Sequence, residues 1–331
     1  MRHWFIDQIP MPRRRPERRR ATHPRGRRDA RNAPCVRACV ALCATLLLLG
    51  PPLVAASAHT AGPSDAAGAE SGGFVLAGVG FAHPTGLLYD PQADLYLVAN
   101  NNGMPLSKDD NGFISRVSTA GEIIDLLWIN GDDPAVTLHG PGGMAFQGDE
   151  LLVADGQVVR RFERTTGTPR GFIILPGARS AIHLAPAPDG TVYASDHATN
   201  QIYRIEQGEA RVALAGDQLH GPNGLAVTSE RILFTTFNGK QIIARTAGEE
   251  DEVLWTLPHG RLYGLILLED GSALTASWQT GALFRCAPSG EITIWRDGIA
   301  GPSAICHDPV HQRLLLLHYK DDKLEALPFE G

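Results

Sequence analysis

The chain has 331 residues, 43% of them hydrophobic, which is enough to bury a full core. Its formal net charge of −6 hides a split: residues 1–37 hold 12 Arg against 3 acids, leaving 18 basic and 33 acidic residues for 38–331. So acidic a body lacks the positive field that a nucleic-acid backbone needs and argues against nucleic acid as a partner.

Behind the Arg-rich block, Ala38–Gly50 forms an apolar run closed by Pro51-Pro52, and Ala56-Ser57-Ala58 is a small-x-small cleavage site. These are the three parts of a secretory signal, so residues 1–58 are expected to be a basic region plus signal, cleaved near Ala58. The competing reading is a membrane anchor, but the apolar run is shorter than the roughly 17–25 residues a spanning helix needs. Leu42, before Cys43, stands where a lipoprotein signal carries a small residue. The basic region is long for a signal, and Met11 or a later residue is an alternative start. The expected protein is exported, periplasmic or secreted, with no membrane attachment after cleavage. Residues 59–73, rich in Gly, Ala and Ser, read as a flexible linker, and the ordered domain is expected over 74–331.

From there one loop recurs. Its clearest copy is Leu219-His220-Gly221-Pro222-Asn223-Gly224-Leu225-Ala226-Val227, a Gly/Pro-bent loop running into a short apolar strand. Relatives follow His83, His139 and Gly301, and looser copies begin at Ser180 and Leu262. The variable residue of each copy falls at 85, 142, 182, 223, 263 and 303, giving spacings of 57, 40, 41, 40 and 40. A period near 40 with four short strands per unit predicts an all-β, six-bladed β-propeller. The strands expected in the fourth unit are 224–227, 231–236, 241–245 and 252–257. In the fifth they are 264–268, 273–278, 282–286 and 292–296. The sixth has only 303–308, 313–318 and 323–328 before the chain ends, so Phe74–Val79 is expected to supply its outer strand and close the ring. The first interval exceeds the others by about 17 residues, at Asn100–Gly112 and Asn130–Leu138. Insertions of that length are often functional, and propeller topology puts both beside the channel mouth.

The same topology gathers the ends of the second strands and most histidines on that face. His83, His183 and His197 are the candidate catalytic groups, because imidazole is the usual near-neutral acid–base. Thr85, Asn101, His139, Asp196, Asn223, Phe237, Tyr263, Trp278 and His318 are the candidate ligand-binding residues. Each has a structural alternative. His139 and His220 precede Gly-Pro bends and would fix them; Asp155 and Asp196 end strands and would cap the next turn. Asn223 would serve the turn before Gly224, and Phe237 and Trp278 would pack between blades. Cys286 and Cys306 remain after signal removal, either as a disulfide or as two buried thiols, the second being favoured by their expected strand positions.

Pro222-Asn223-Gly224-Leu225-Ala226 within this six-fold repeat resembles the senescence-marker-protein/gluconolactonase-like (NHL-like) propellers over roughly residues 74–331. The resemblance implies a divalent cation over the channel, lactone or ester hydrolysis, and ligands in these loops: a Glu, two Asn and an Asp. Here Asn223 is the one matching metal-ligand position; Thr85, Ile182 and Tyr263 stand at the other three. None of those supplies a carboxylate, which a hard cation prefers. Two functions therefore stand open. One is a binding propeller that takes a small molecule or protein partner at the mouth, with the family's metal site degenerate. The other is a hydrolase or lyase with a rearranged, His-rich site using one divalent cation, calcium or zinc. A monomer is expected in either case.

Overall fold

The computed structural model describes residues 72–103 and 107–331; the expected signal and nearly all of the expected linker lie outside the described residues. Six four-stranded antiparallel sheets form the blades of a propeller. Blade 1 is β2 (Pro84–Asp90), β3 (Leu95–Asn100), β4 (Phe113–Ser118) and β5 (Ile123–Asn130). Blade 2 is β6 (Met144–Gln147), β7 (Glu150–Asp155), β8 (Val158–Glu163) and β9 (Pro169–Ile174). Blade 3 is β10 (Ala181–Pro186), β11 (Val192–Asp196), β12 (Gln201–Glu206) and β13 (Glu209–Ala215). Blade 4 is β14 (Pro222–Val227), β15 (Arg231–Thr236), β16 (Gln241–Thr246) and β17 (Glu252–Thr256). Blade 5 is β18 (Leu262–Leu267), β19 (Ala273–Ser277), β20 (Ala282–Cys286) and β21 (Ile292–Arg296). Blade 6 is β22 (Pro302–Asp308), β23 (Arg313–His318) and β24 (Lys323–Pro328), completed by β1 (Phe74–Leu76).

The core is divided as the repeat demands. A twisted sheet must bury both faces against its neighbours. Six apolar clusters do this, one at each blade-to-blade interface, from Leu97/Leu151 between blades 1 and 2 to Val98/Leu317 between blades 6 and 1. Second strands are sandwiched on both sides, so β3 and β19 are buried along their whole length. Outermost strands have one face in water and expose single apolar residues such as Val75, Ile124 and Ile294.

The expected closure is present. β1 pairs antiparallel with β24, from Phe74↔Ala326 to Leu76↔Leu324. It stops at Leu76 rather than Val79, because Gly78 and Gly80 have positive φ. Near the axis, Ser303 Oγ donates to Pro84 O at 2.6 Å across the same seam. The innermost strands approach so closely that the glycines of the repeated loop are required. A Cβ on Gly86 would sit 2.0 Å from Gly142 O, and one on Gly224 would sit 2.3 Å from Gly264 C. Cys286 and Cys306 are free thiols, on β20 and β22, and burial pushes both up to about 12.

The two insertions of blade 1 are bonded to each other: Gly112 N donates to Leu138 O at 3.1 Å and Gly131 N to Gly112 O at 2.9 Å. Leu138 is fully buried beneath them.

Candidate functional site

The site is built from two rings of positions, each used once per blade. The inner ring lies where the innermost strand begins. Pairing with the second strand slips there in blades 1, 3, 4, 5 and 6. Such a bulge takes a residue out of the ladder and re-aims its side chain. The skipped residues are Thr85, Ile182 and Ser303 in three blades and Asn223-Gly224 in blade 4. Of the six variable positions of the repeat, Thr85, Gly142, Ile182, Tyr263 and Ser303 line one cavity of about 290 Å³. Asn223, the sixth, is 1% exposed, and its Nδ2 is buried with no hydrogen-bond partner.

The outer ring is the residue just after each second strand: Asn101, Gly156, His197, Phe237, Trp278 and Tyr319. Four of these, in blades 1, 4, 5 and 6, donate their backbone N–H to the loop entering their own blade, at 2.7–3.1 Å, which fixes the side chain over the mouth. All except Phe237 line the cavity. Phe237 stands edge-on to Tyr263, with ring centroids 5.6 Å apart.

The residue one position earlier has a different task. Asn100, Asp155, Asp196, Thr236, Ser277 and His318 end the second strands and are all buried. Asn100 Oδ1 accepts Ala82 N at 3.0 Å, and Ser277 Oγ donates to Gly260 O at 2.8 Å. Asp155 accepts Gly140 N at 2.9 Å and Arg160 Nε at 2.8 Å. Asp196 accepts four backbone N–H groups, from Arg179, Ser180, Ala198 and Thr199, at 2.6–3.1 Å. His318 Nδ1 accepts Ala300 N at 3.3 Å while its Nε2 meets Glu325 Oε2 at 2.9 Å. These side chains hold the loops and do not reach the cavity.

Together with His83, these positions create an arc of six aromatic side chains beside the cavity. His83 stacks on Tyr319 (4.9 Å, 20°), Tyr319 meets Trp278 (5.3 Å), and Trp278 meets Tyr263 (5.6 Å). Tyr263 then meets Phe237 (5.6 Å), and Phe237 meets His197 (5.0 Å). Among the described residues the Nδ1 atoms of both terminal histidines, which are buried, have no partner. Burial holds His197 below its ordinary value, partly opposed by the Asp196 charge. Burial, the neighbouring Tyr319 and, in the opposite sense, Arg261 act on the Tyr263 hydroxyl, which is pushed up to about 12. Both tyrosines thus stay neutral donors. At the rim, Lys320 Nζ lies 5.6 Å from the Trp278 ring centroid.

The expected candidates therefore separate. Thr85, Asn101, His197, Tyr263 and Trp278 line the cavity. His83 ends the arc and Phe237 joins Tyr263 to His197 within it, and Asn223 lies buried, its Nδ2 without a partner among the described residues. Asp196 and His318, expected to bind ligand, are loop brackets instead, because each is the last residue of its strand. His139 also leaves this cavity: its Nδ1 accepts Asp110 N at 3.3 Å, tying the first insertion to the loop that follows the second. His183 is half-buried at the β10 bulge and does not line the cavity; enclosure of its ring pushes its pKa down to about 4. Tyr319, absent from the chosen candidates, occupies the outer-ring position equivalent to Trp278, a signal the strand count already carried.

The cation that the resemblance implies does not fit these residues. Thr85 Oγ1 is committed to Pro141 O at 2.5 Å, Ile182 has no donor atom, and Tyr263 keeps its proton. Among the described residues no group of three or more His, Cys, Asp or Glu side chains stands close enough to hold a metal ion. His83 and His197 end opposite arms of the arc, so the expected His-rich ligand set does not converge.

Fold and site define a six-bladed β-propeller with an aromatic pocket at its channel mouth. Known structures share that fold. A gluconolactonase from Xanthomonas campestris aligns with TM-score 0.61 at 17% identity, over 77% of this chain and 89% of its own. A catalytically inactive virginiamycin B lyase from Staphylococcus aureus, solved with quinupristin, aligns with TM-score 0.53 at 16% identity, over 78% and 99%. An auxiliary nutrient binding protein from Bacteroides thetaiotaomicron aligns with TM-score 0.59 at 9% identity, over 76% and 70%. No protein-family model matches the chain, and no curated protein matches it.

Proposed function

We propose that this chain binds a small molecule with a flat or apolar body at the channel mouth, as an exported monomer. The observation that supports it is the unbroken arc from His83 to His197 beside one cavity, whose wall includes His197, Tyr263, Trp278 and Tyr319. Aromatic rings supply the apolar contact and neutral hydroxyls give orientation. A thermal-shift screen of ring-containing compounds tests this. Shifts seen with the natural chain should vanish in Trp278→Ala; shifts of the same size in both would move the site elsewhere. Export is checked by sequencing the N-terminus of the mature protein, expected just after Ala58.

A second reading is supported by the state of His197. Desolvation favours the neutral ring, and His197 lines the cavity, where a neutral imidazole can accept a proton. Propellers of this fold include a gluconolactonase and a lyase. Turnover in a lactone and ester screen, with and without divalent cations, that disappears in His197→Ala would decide for the enzyme.

A further inference from the structure

A second cavity, of about 220 Å³, adjoins the aromatic one. Both are bounded by Gly140 and Gly156, so the wall they share there is backbone without side chains. Gly156 adopts φ 65 and a Cβ there would meet nothing within 4 Å, so the left-handed backbone, and not crowding, favours glycine.

The two cavities differ in charge. The aromatic cavity is lined by neutral groups, whereas the second is lined by Lys108, Arg160 and Arg179 against one carboxylate, Asp155. That carboxylate is already satisfied by Arg160 Nε at 2.8 Å and by the N–H groups of Gly140 and His139. Asp110, nearby, does not line the cavity: its backbone N–H donates to His139 Nδ1 at 3.3 Å, and its Oδ1 has no hydrogen-bond partner among the described residues. Among the described residues Lys108 Nζ has only a long contact, 3.4 Å, to the neutral Gln157 Oε1. Arg179 makes no ion pair among the described residues, and its backbone is clamped in place by Asp196. Two uncompensated cations thus face one cavity, in a body with 18 basic and 33 acidic residues over 38–331. They come from separate segments, Lys108 from the blade 1 insertion and Arg179 from the loop into blade 3, and meet only in the folded chain.

We infer that this annex is an anion subsite, and that the ligand is an organic anion. Its flat body would lie on the aromatic arc, and a carboxylate, sulfate or phosphate group would reach past Gly140 and Gly156 to Lys108 and Arg179. Arg179 offers a planar fork suited to such oxyanions, and Lys108 a point charge. The inference rests on the reading of the arc as a ligand site.

Calorimetric titration of the mature chain with 2-naphthoate and its uncharged isostere 2-naphthamide separates the two. At low salt, naphthoate should bind about ten-fold more tightly than naphthamide, because charge-assisted bonds add to the same ring contact. That ratio should fall towards one in Lys108→Ala/Arg179→Ala, and in the natural chain as salt is raised. Equal binding of the two probes, or a preference insensitive to salt or to the double substitution, overturns the anion subsite and leaves the arc standing. Failure of both probes to bind overturns the arc as well. The salt series needs no variant, so it decides even if the double substitution fails to fold.

Discussion

His83 lies flat against Tyr319, with ring centroids 4.9 Å apart and planes 20° from parallel. One residue comes from the first loop of the propeller and the other follows the last second strand, so this stack crosses the seam where the ring closes. His83 N also donates to Asp322 Oδ1 at 2.6 Å across the same seam. The proposed ligand site and the closure of the fold thus share residues.

That sharing makes Tyr319 informative. Tyr319→Ala should weaken binding of ring compounds and lower unfolding free energy by about 1–2 kcal/mol, since it removes contacts with both His83 and Trp278. Tyr319→Phe keeps both stacks and should retain both properties. Urea unfolding and probe titration on the pair would show it; a Phe variant as damaged as the Ala variant would assign the role to the hydroxyl.

Asp196 and His197 are neighbours with opposite roles. Replacing Asp196 by Ala strips the partner from four backbone N–H groups, and should cost about 2–4 kcal/mol in denaturant unfolding. His197→Ala should leave unfolding nearly unchanged and reduce ligand binding. A stable Asp196→Ala protein would refute the bracket.

Acid should destabilise the fold through His183. Its folded pKa is about 4 against an ordinary 6.5. Between these values the unfolded chain holds more protons than the folded one, so stability rises with pH across the window. The contribution is complete above about 6.5 and lost as pH falls toward 4, on the order of 3 kcal/mol in all. His197, also depressed, adds loss of the same sign. Urea midpoints at pH 7 and 4.5 should differ less in His183→Gln than in the natural chain; an identical difference would place the acid sensitivity on other groups.

Metal loading should have little effect. With no carboxylate on the inner ring, calcium lacks its preferred donors, and the separated histidines do not offer zinc a shared site. Elemental analysis after incubation with either ion should find substoichiometric metal and an unchanged melting temperature. One equivalent retained through dialysis would require a ligand set formed in another way.

Much of the fold was legible from the chain alone. β15, β23 and β24 fall on their expected residues, because tight turns bound them and the repeat sets their spacing. The inner ring was legible for the same reason: counting a period near 40 places 85, 142, 182, 223, 263 and 303 at equivalent positions, five of them lining one cavity. Strand ends were not legible to the residue. Successive side chains on a strand point opposite ways, so a shift of one position exchanges loop bracket for cavity wall. Asp196 against His197, and His318 against Tyr319, turn on that single step.

The sequence by itself therefore determined the number of blades, the strand that closes them and the face on which chemistry gathers, since all three follow from a local motif repeated at fixed spacing. Only the tertiary structure decided which side chains meet there. The arc from His83 to His197 draws on blades 1, 6, 5, 4 and 3, and no local pattern encodes contacts between residues brought together by closing a ring.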